Sequence, residues 1–62
     1  MKRYEFLYKL SSCLQGLSEE EIQDILGDYE EHFQIGLSKG KTEEEISKEL
    51  GSPKDIGKNY NP

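Results

Sequence analysis

The sequence predicts an all-α fold, a compact bundle of three to four short helices with a long second helix as its spine. Apolar residues recur at intervals of three and four, which places them on one face of a helix. Three segments carry the Ser/Thr-x-x-Asp/Glu pattern with which many helices begin. No segment alternates apolar and polar residues as a half-buried strand does, and β-branched residues are few.

The first helix is predicted over residues 3–14 and the second over residues 18–39. Gly16 suits the left-handed turn between them, and Ser18 with Glu21 forms a capping box at the start of the second helix. The apolar face of the second helix, which we call its seam, extends over about twenty residues. An average helix has a length of only ~11 to 12 residues. The first helix carries the apolar residues Phe6, Leu7, Leu10, Cys13 and Leu14, and the second Ile22, Leu26, Tyr29, Phe33 and Leu37.

Two shorter helices are predicted over residues 43–50 and 53–60. Thr42 and Glu45 form a second capping box, Gly51 ends the third helix, and Pro53 follows at a position where its missing N–H costs least. Ile56 and Tyr60 are the expected buried side of the fourth helix.

We expect residues 1–62 to form a single helical domain, either alone or as the N-terminal domain of a longer protein. A chain of 62 residues buries only roughly 60% of its unfolded surface, so helix packing must supply nearly all the stability. The predicted core comprises Phe6, Leu7, Leu10, Leu14, Ile22, Leu26, Tyr29, Phe33, Leu37, Ile46, Leu50 and Ile56.

The charge balance disfavours nucleic acid as a partner. Thirteen acidic residues against eight basic ones give a formal net charge of -5, and the basic residues are spread along the sequence rather than gathered. No run of 18 apolar residues occurs, so we expect a soluble, cytoplasmic chain that does not insert into a membrane.

The sequence carries no catalytic or metal-binding pattern. His32 is the one histidine and Cys13 the one cysteine, so no nucleophile–base–orienter set can form, and we expect neither an enzyme nor a need for a cofactor or metal. His32 flanks the seam and is expected to be half-buried. Cys13, at the edge of the first apolar stripe, is expected to be a buried small hydrophobe rather than a reactive thiol.

The candidate partner-binding residues are Asp24, Asp28, Glu31 and Ile35 on the second helix. The three acids share one side of the helix, opposite the seam, and are therefore expected to be solvated. Ile35 lies on the same polar side, where the periodicity predicts a charge. It is either an isolated exposed apolar residue, which is common, or the anchor of a contact with a basic or amphipathic protein surface.

An alternative function is DNA binding through a helix-turn-helix-like unit over residues 43–60. Its second helix would offer Lys54, Lys58 and Asn59 to bases, but the preceding helix would present glutamates to the phosphates. A homodimer could focus the few cations, so self-association stays open.

The order of motifs along the chain resembles the HAAS signalling domain, a bacterial helical family. The resemblance is densest at Asp-Tyr-Glu-Glu-His-Phe over residues 28–33, and it includes Leu-Ser-Glu-Glu-Glu over 17–21 and Leu-Gly-Ser-Pro over 50–53.

The resemblance implies a non-catalytic, cofactor-free module at the cytosolic N-terminus of a longer membrane protein, often encoded beside a PadR-like transcription regulator. The partners it implies are such a regulator or an attached membrane segment. Since this chain ends at Pro62 without a membrane helix, we expect an excised domain or a short family member. As part of a longer protein, it would lie at the cytosolic face of the membrane.

Overall fold

A computed structural model describes residues 1–60 as four α-helices. Helix α1 spans Arg3–Cys13, α2 Glu19–Ser38, α3 Glu43–Leu50 and α4 Pro53–Tyr60. The predicted bounds of α3 and α4 are confirmed, and those of α1 and α2 are correct to within one residue. The all-α prediction is therefore confirmed, with α2 as the longest helix; the expected continuation beyond Pro62 lies outside the described residues.

Local hydrogen bonds explain where the helices begin and end. The Ser18 hydroxyl accepts from the backbone N–H of Glu21, whose carboxylate accepts from the N–H of Ser18 in return. Thr42 and Glu45 form the same reciprocal pair at α3. Gly51 ends α3 with a positive φ of 95°, a conformation that costs glycine little. Both capping boxes predicted from the sequence are therefore confirmed.

The arrangement of the helices makes α1 the central element. Cα atoms of α1 approach those of α2, α3 and α4 within 8 Å, whereas α2 approaches only α1 and α3 among the described residues. Helix α2 meets α4 through the side chains of Tyr29 and Tyr60 and not by close approach of the backbones. Helix α1 therefore lies between the backbones of α2 and α4.

Side chains from all four helices form the core. The aromatic ring of Phe6 lies 5.4 Å from that of Phe33 in an edge-to-face arrangement and 6.0 Å from that of Tyr29. Five further predicted core residues are half-buried around this core: Leu7, Ile22, Leu26, Tyr29 and Leu50. The buried set is Phe6, Leu10, Leu14, Phe33, Ile46 and Ile56.

Leu37 and Tyr60 were expected to be buried and are exposed. Leu37 is 41% exposed because α3 returns along the Gly36 side of α2, where Ile46 packs, and leaves the other side of the last turn uncovered. Tyr60 is 42% exposed because it lies in the last turn of α4, whose backbone does not approach α2.

The start of α1 is held by the other helices. The backbone N–H of Arg3 donates to Glu43 Oε1 at 2.7 Å, which supplies a cap that Lys2 at the N-cap position does not. The Arg3 guanidinium also donates to Glu30 Oε1 at 3.3 Å, and Lys2 pairs with Glu44 at 3.2 Å. Residues far apart in sequence thus fix the position of the N-terminus.

We predict that Phe33→Ala lowers the free energy of unfolding by about 3 to 5 kcal/mol, because it removes a fully buried ring from the contact with Phe6. Leu37→Ala is the matched control on the same helix and should cost about 1 kcal/mol or less, since Leu37 is largely uncovered. Urea denaturation followed by circular dichroism measures both. Equal losses would contradict the core assignment.

We also predict opposite effects of alanine at two glycines. A Cβ at Gly57 would lie 2.7 Å from Cβ and 2.9 Å from the carbonyl oxygen of Cys13, so Gly57→Ala must push α4 from α1, at about 1 to 3 kcal/mol. At Gly27 a Cβ meets nothing within 4 Å, so Gly27→Ala should stabilise by about 0.5 to 1 kcal/mol. Thermal unfolding of both variants tests this, and a stabilised Gly57→Ala protein would refute the close approach.

Candidate functional site

The polar face of α2 carries the candidate residues as predicted. Asp24, Asp28 and Glu31 are all exposed, whereas Phe33 and Gly36 on the opposite face are buried. None of the three acids takes part in an ion pair within residues 1–60. The prediction that these carboxylates are solvated is therefore confirmed, and whether they bind a partner stays a prediction.

A surface depression brings three of the four candidate residues together. It is lined by Asp28, Glu31, His32 and Ile35, while Asp24 lies outside it, one turn earlier on the helix. His32 is exposed, so its expected half-burial is wrong; its ring lies 5.9 Å from that of Tyr29. The imidazole therefore stands at the border between the acidic face and the core.

Ile35 also borders a crevice between α2 and α3 that sequence reasoning missed. This crevice has a volume of about 170 Å³, and its walls include Gly36 from α2 and the apolar side chains of Ile46 and Leu50 from α3. Ile35 is 46% exposed at its edge. No periodicity in α2 alone could reveal the crevice, because three of its eight lining residues come from α3.

Ion pairs neutralise several acids around this face but leave its centre unpaired. Glu30 is held by Arg3, and Glu49 accepts from Lys41 Nζ at 2.9 Å. Because these pairs are exposed, each contributes little stability. Asp24, Asp28 and Glu31 remain without an ion pair in the described residues. We call these three acids the negative row of α2, and a cationic group can approach them.

Three pKa shifts have a structural cause. Burial raises the pKa of Tyr29, and the neighbouring Tyr60 hydroxyl and the Asp28 carboxylate raise it further, so the ring stays neutral beside the acidic face. A backbone N–H and the Lys2 ammonium lower the pKa of Glu44. The backbone N–H and hydroxyl of Thr42 lower the pKa of Glu45, as the capping box requires.

The described part of the chain contains neither a group of metal ligands nor a helix that could cross a membrane. Among residues 1–60, no three His, Cys, Asp or Glu side chains are grouped so that they could hold a metal ion. Over the same residues, no helix combines the length and the apolar character that crossing a bilayer requires.

The segment 28–33 serves the core and the surface at once. Tyr29 and Phe33 pack on Phe6, whereas Asp28 and His32 line the depression. The HAAS family model matches residues 5–59, a range that includes this segment. The chain belongs to the HAAS family. Neither the curated proteins nor the solved structures gave a match.

We predict that the HAAS domain loses stability in acid partly through Glu45. Because folding lowers the pKa of this carboxyl from 4.5, its contribution is present above the unfolded pKa and disappears as the pH falls through the folded value. Glu45→Gln keeps the capping hydrogen bond but cannot titrate. The melting temperature of the parent should exceed that of the variant at about pH 6 and converge with it near about pH 3. A gap that does not change with pH would contradict this account.

Proposed function

We propose that this HAAS domain is a non-catalytic regulatory adaptor that binds a protein partner through the negative row of α2. Asp24, Asp28 and Glu31 would pair with basic groups of the partner, and Ile35 would be covered by an apolar one. The observation that carries the proposal is the position of Ile35, half-exposed beside the unpaired carboxylates of Asp28 and Glu31 at the edge of the α2–α3 crevice.

The ionic contacts and the apolar contact would contribute to binding in different ways. Unpaired carboxylates attract a cationic partner and orient it, which raises the association rate more than the final affinity. Covering the exposed half of Ile35 would contribute about 1 kcal/mol, and a partner side chain that enters the α2–α3 crevice would add apolar contact with Ile46 and Leu50. Such an interface is small, which suits a reversible signalling contact.

The family resemblance supplies candidates for the partner. A PadR-like regulator or a cytosolic segment of an attached membrane protein would bring the basic or amphipathic surface that this face requires. Both would place the domain in the bacterial cytoplasm, at the membrane in the second case. A signalling role is therefore consistent with the chemistry of this face and with the partners that the family resemblance implies.

We predict that the combined variant Asp24→Lys, Asp28→Lys, Ile35→Asp folds normally and no longer co-purifies from the native host with the partners of the parent. The control is Gln15→Lys, Gln23→Lys, Gln34→Lys, at three exposed positions that do not line the depression. Both variants raise the net charge by three, since each Asp→Lys change adds two and Ile35→Asp removes one. Equal retention of partners by both variants would exclude the α2 face.

DNA binding is the alternative function against which the proposed protein binding must be tested. Helices α3 and α4 are joined by two residues and leave Lys54 and Lys58 exposed, but Glu44, Glu45 and Glu49 are exposed on the helix that would cross the phosphates. Fluorescence anisotropy with random duplex DNA at low salt should therefore show no binding at micromolar protein. Binding that weakens steeply with added salt would favour the DNA-binding function.

A further inference from the structure

The helices α1 and α4 enclose a groove to whose lining α2 contributes no residue. Two adjoining depressions, which share Cys13 and Lys54, form this α1–α4 groove. Its floor consists of buried Pro53 and Gly57 and half-buried Cys13, and its walls are mostly apolar. Gly57 makes the groove narrow, because it lets the backbone of α4 approach Cys13 directly.

The rim of this groove is cationic in a domain whose net charge is -5. Lys9 from α1 and Lys54 and Lys58 from α4 line it, although Lys9 and Lys54 are far apart in sequence. Lys9 is paired at 3.5 Å with Glu5, whereas Lys54 and Lys58 form no ion pair within residues 1–60. The fold thus brings Lys9 of the first helix to the same groove as Lys54 and Lys58 of the last, although the sequence spreads its basic residues.

We propose that the α1–α4 groove is a second interaction surface, which binds a short acidic segment of a protein partner. Carboxylates of that segment pair with Lys54 and Lys58, whose side chains lie one helical turn apart, and with Lys9 across the groove. An apolar side chain between those carboxylates covers Cys13 and Pro53 on the floor. Because the lining of this groove shares no residue with the negative row of α2, the domain can hold a basic and an acidic partner at once.

The charge distribution favours an acidic peptide over other anions. An anionic membrane or a nucleic acid is an extended polyanion that the net charge of -5 repels. A short segment inside the groove interacts mainly with charges within a screening length of roughly 8 to 10 Å, and the charged residues that line the groove are Lys9, Lys54 and Lys58. The apolar floor adds a contact that a phosphate backbone cannot use.

The test is an NMR titration of the ¹⁵N-labelled domain with the acetylated, amidated peptide Glu-Glu-Leu-Glu-Glu-Leu-Glu-Glu. We expect amide shifts to concentrate at residues 9, 13, 54, 57 and 58 and to disappear when every Glu of the peptide is replaced by Gln. The variant Lys54→Gln, Lys58→Gln should weaken binding about tenfold, the effect of losing two exposed ion pairs.

The matched control is Lys39→Gln, Lys48→Gln, which removes the same charge at two exposed lysines outside the groove. The proposal requires that this control binds the peptide like the parent. Equal weakening of both variants, or shifts outside the groove, would overturn it. So would groove shifts produced by phosphatidylglycerol vesicles, duplex DNA or increasing domain concentration in place of the peptide, since each would assign the groove to another occupant.

Discussion

The fully buried ring of Phe6 is the contact on which the rest of the structure depends. It stands edge-to-face against Phe33 and beside Tyr29, and it therefore fixes the rotation of α2 about its own axis. Such an aromatic pair contributes about 0.5 to 1.5 kcal/mol beyond its buried area, a large share of the stability of a domain this small. Because Phe33 lies opposite Asp24 and Asp28, the same contact directs the acidic row towards solvent. Function at that face would thus be a consequence of packing in the core.

The sequence predicted the features that depend on neighbouring residues and missed those that depend on distant ones. The helix starts were predictable because Ser18 and Thr42 make their capping bonds three residues away. Leu37 was assigned to the core wrongly, because a helical period identifies a face but not the turns along it that another helix covers. The exposure of the acids on α2 was predicted correctly, because the helical period alone places them on the face opposite the core. The α2–α3 crevice and the lysine rim need the tertiary arrangement, since their walls come from separate helices.

The segment 28–33 illustrates how one helix of a small domain can carry core residues and exposed charged residues together. Its inward positions hold Tyr29 and Phe33, and Glu30 anchors Arg3 at the start of α1. The outward positions remain for Asp28, Glu31 and His32, which line the depression. A pattern match to such a segment reports on the fold, because two of its six residues, Tyr29 and Phe33, pack with the core. The other four residues are exposed, so core packing does not constrain their identity.

The pairing of α1 with α4 joins the two ends of the described chain, and this has a consequence for biosynthesis. Helix α1 leaves the ribosome first, yet the groove side of its surface is covered only when α4 has been made. Contacts between distant parts of a chain close late, since the loop entropy must be offset before they form. The nascent polypeptide therefore exposes the Cys13 side of α1 until α4 has left the ribosome and packed against it. Until then that surface is open to chaperones and proteases, and the packing of α4 narrows it to the α1–α4 groove.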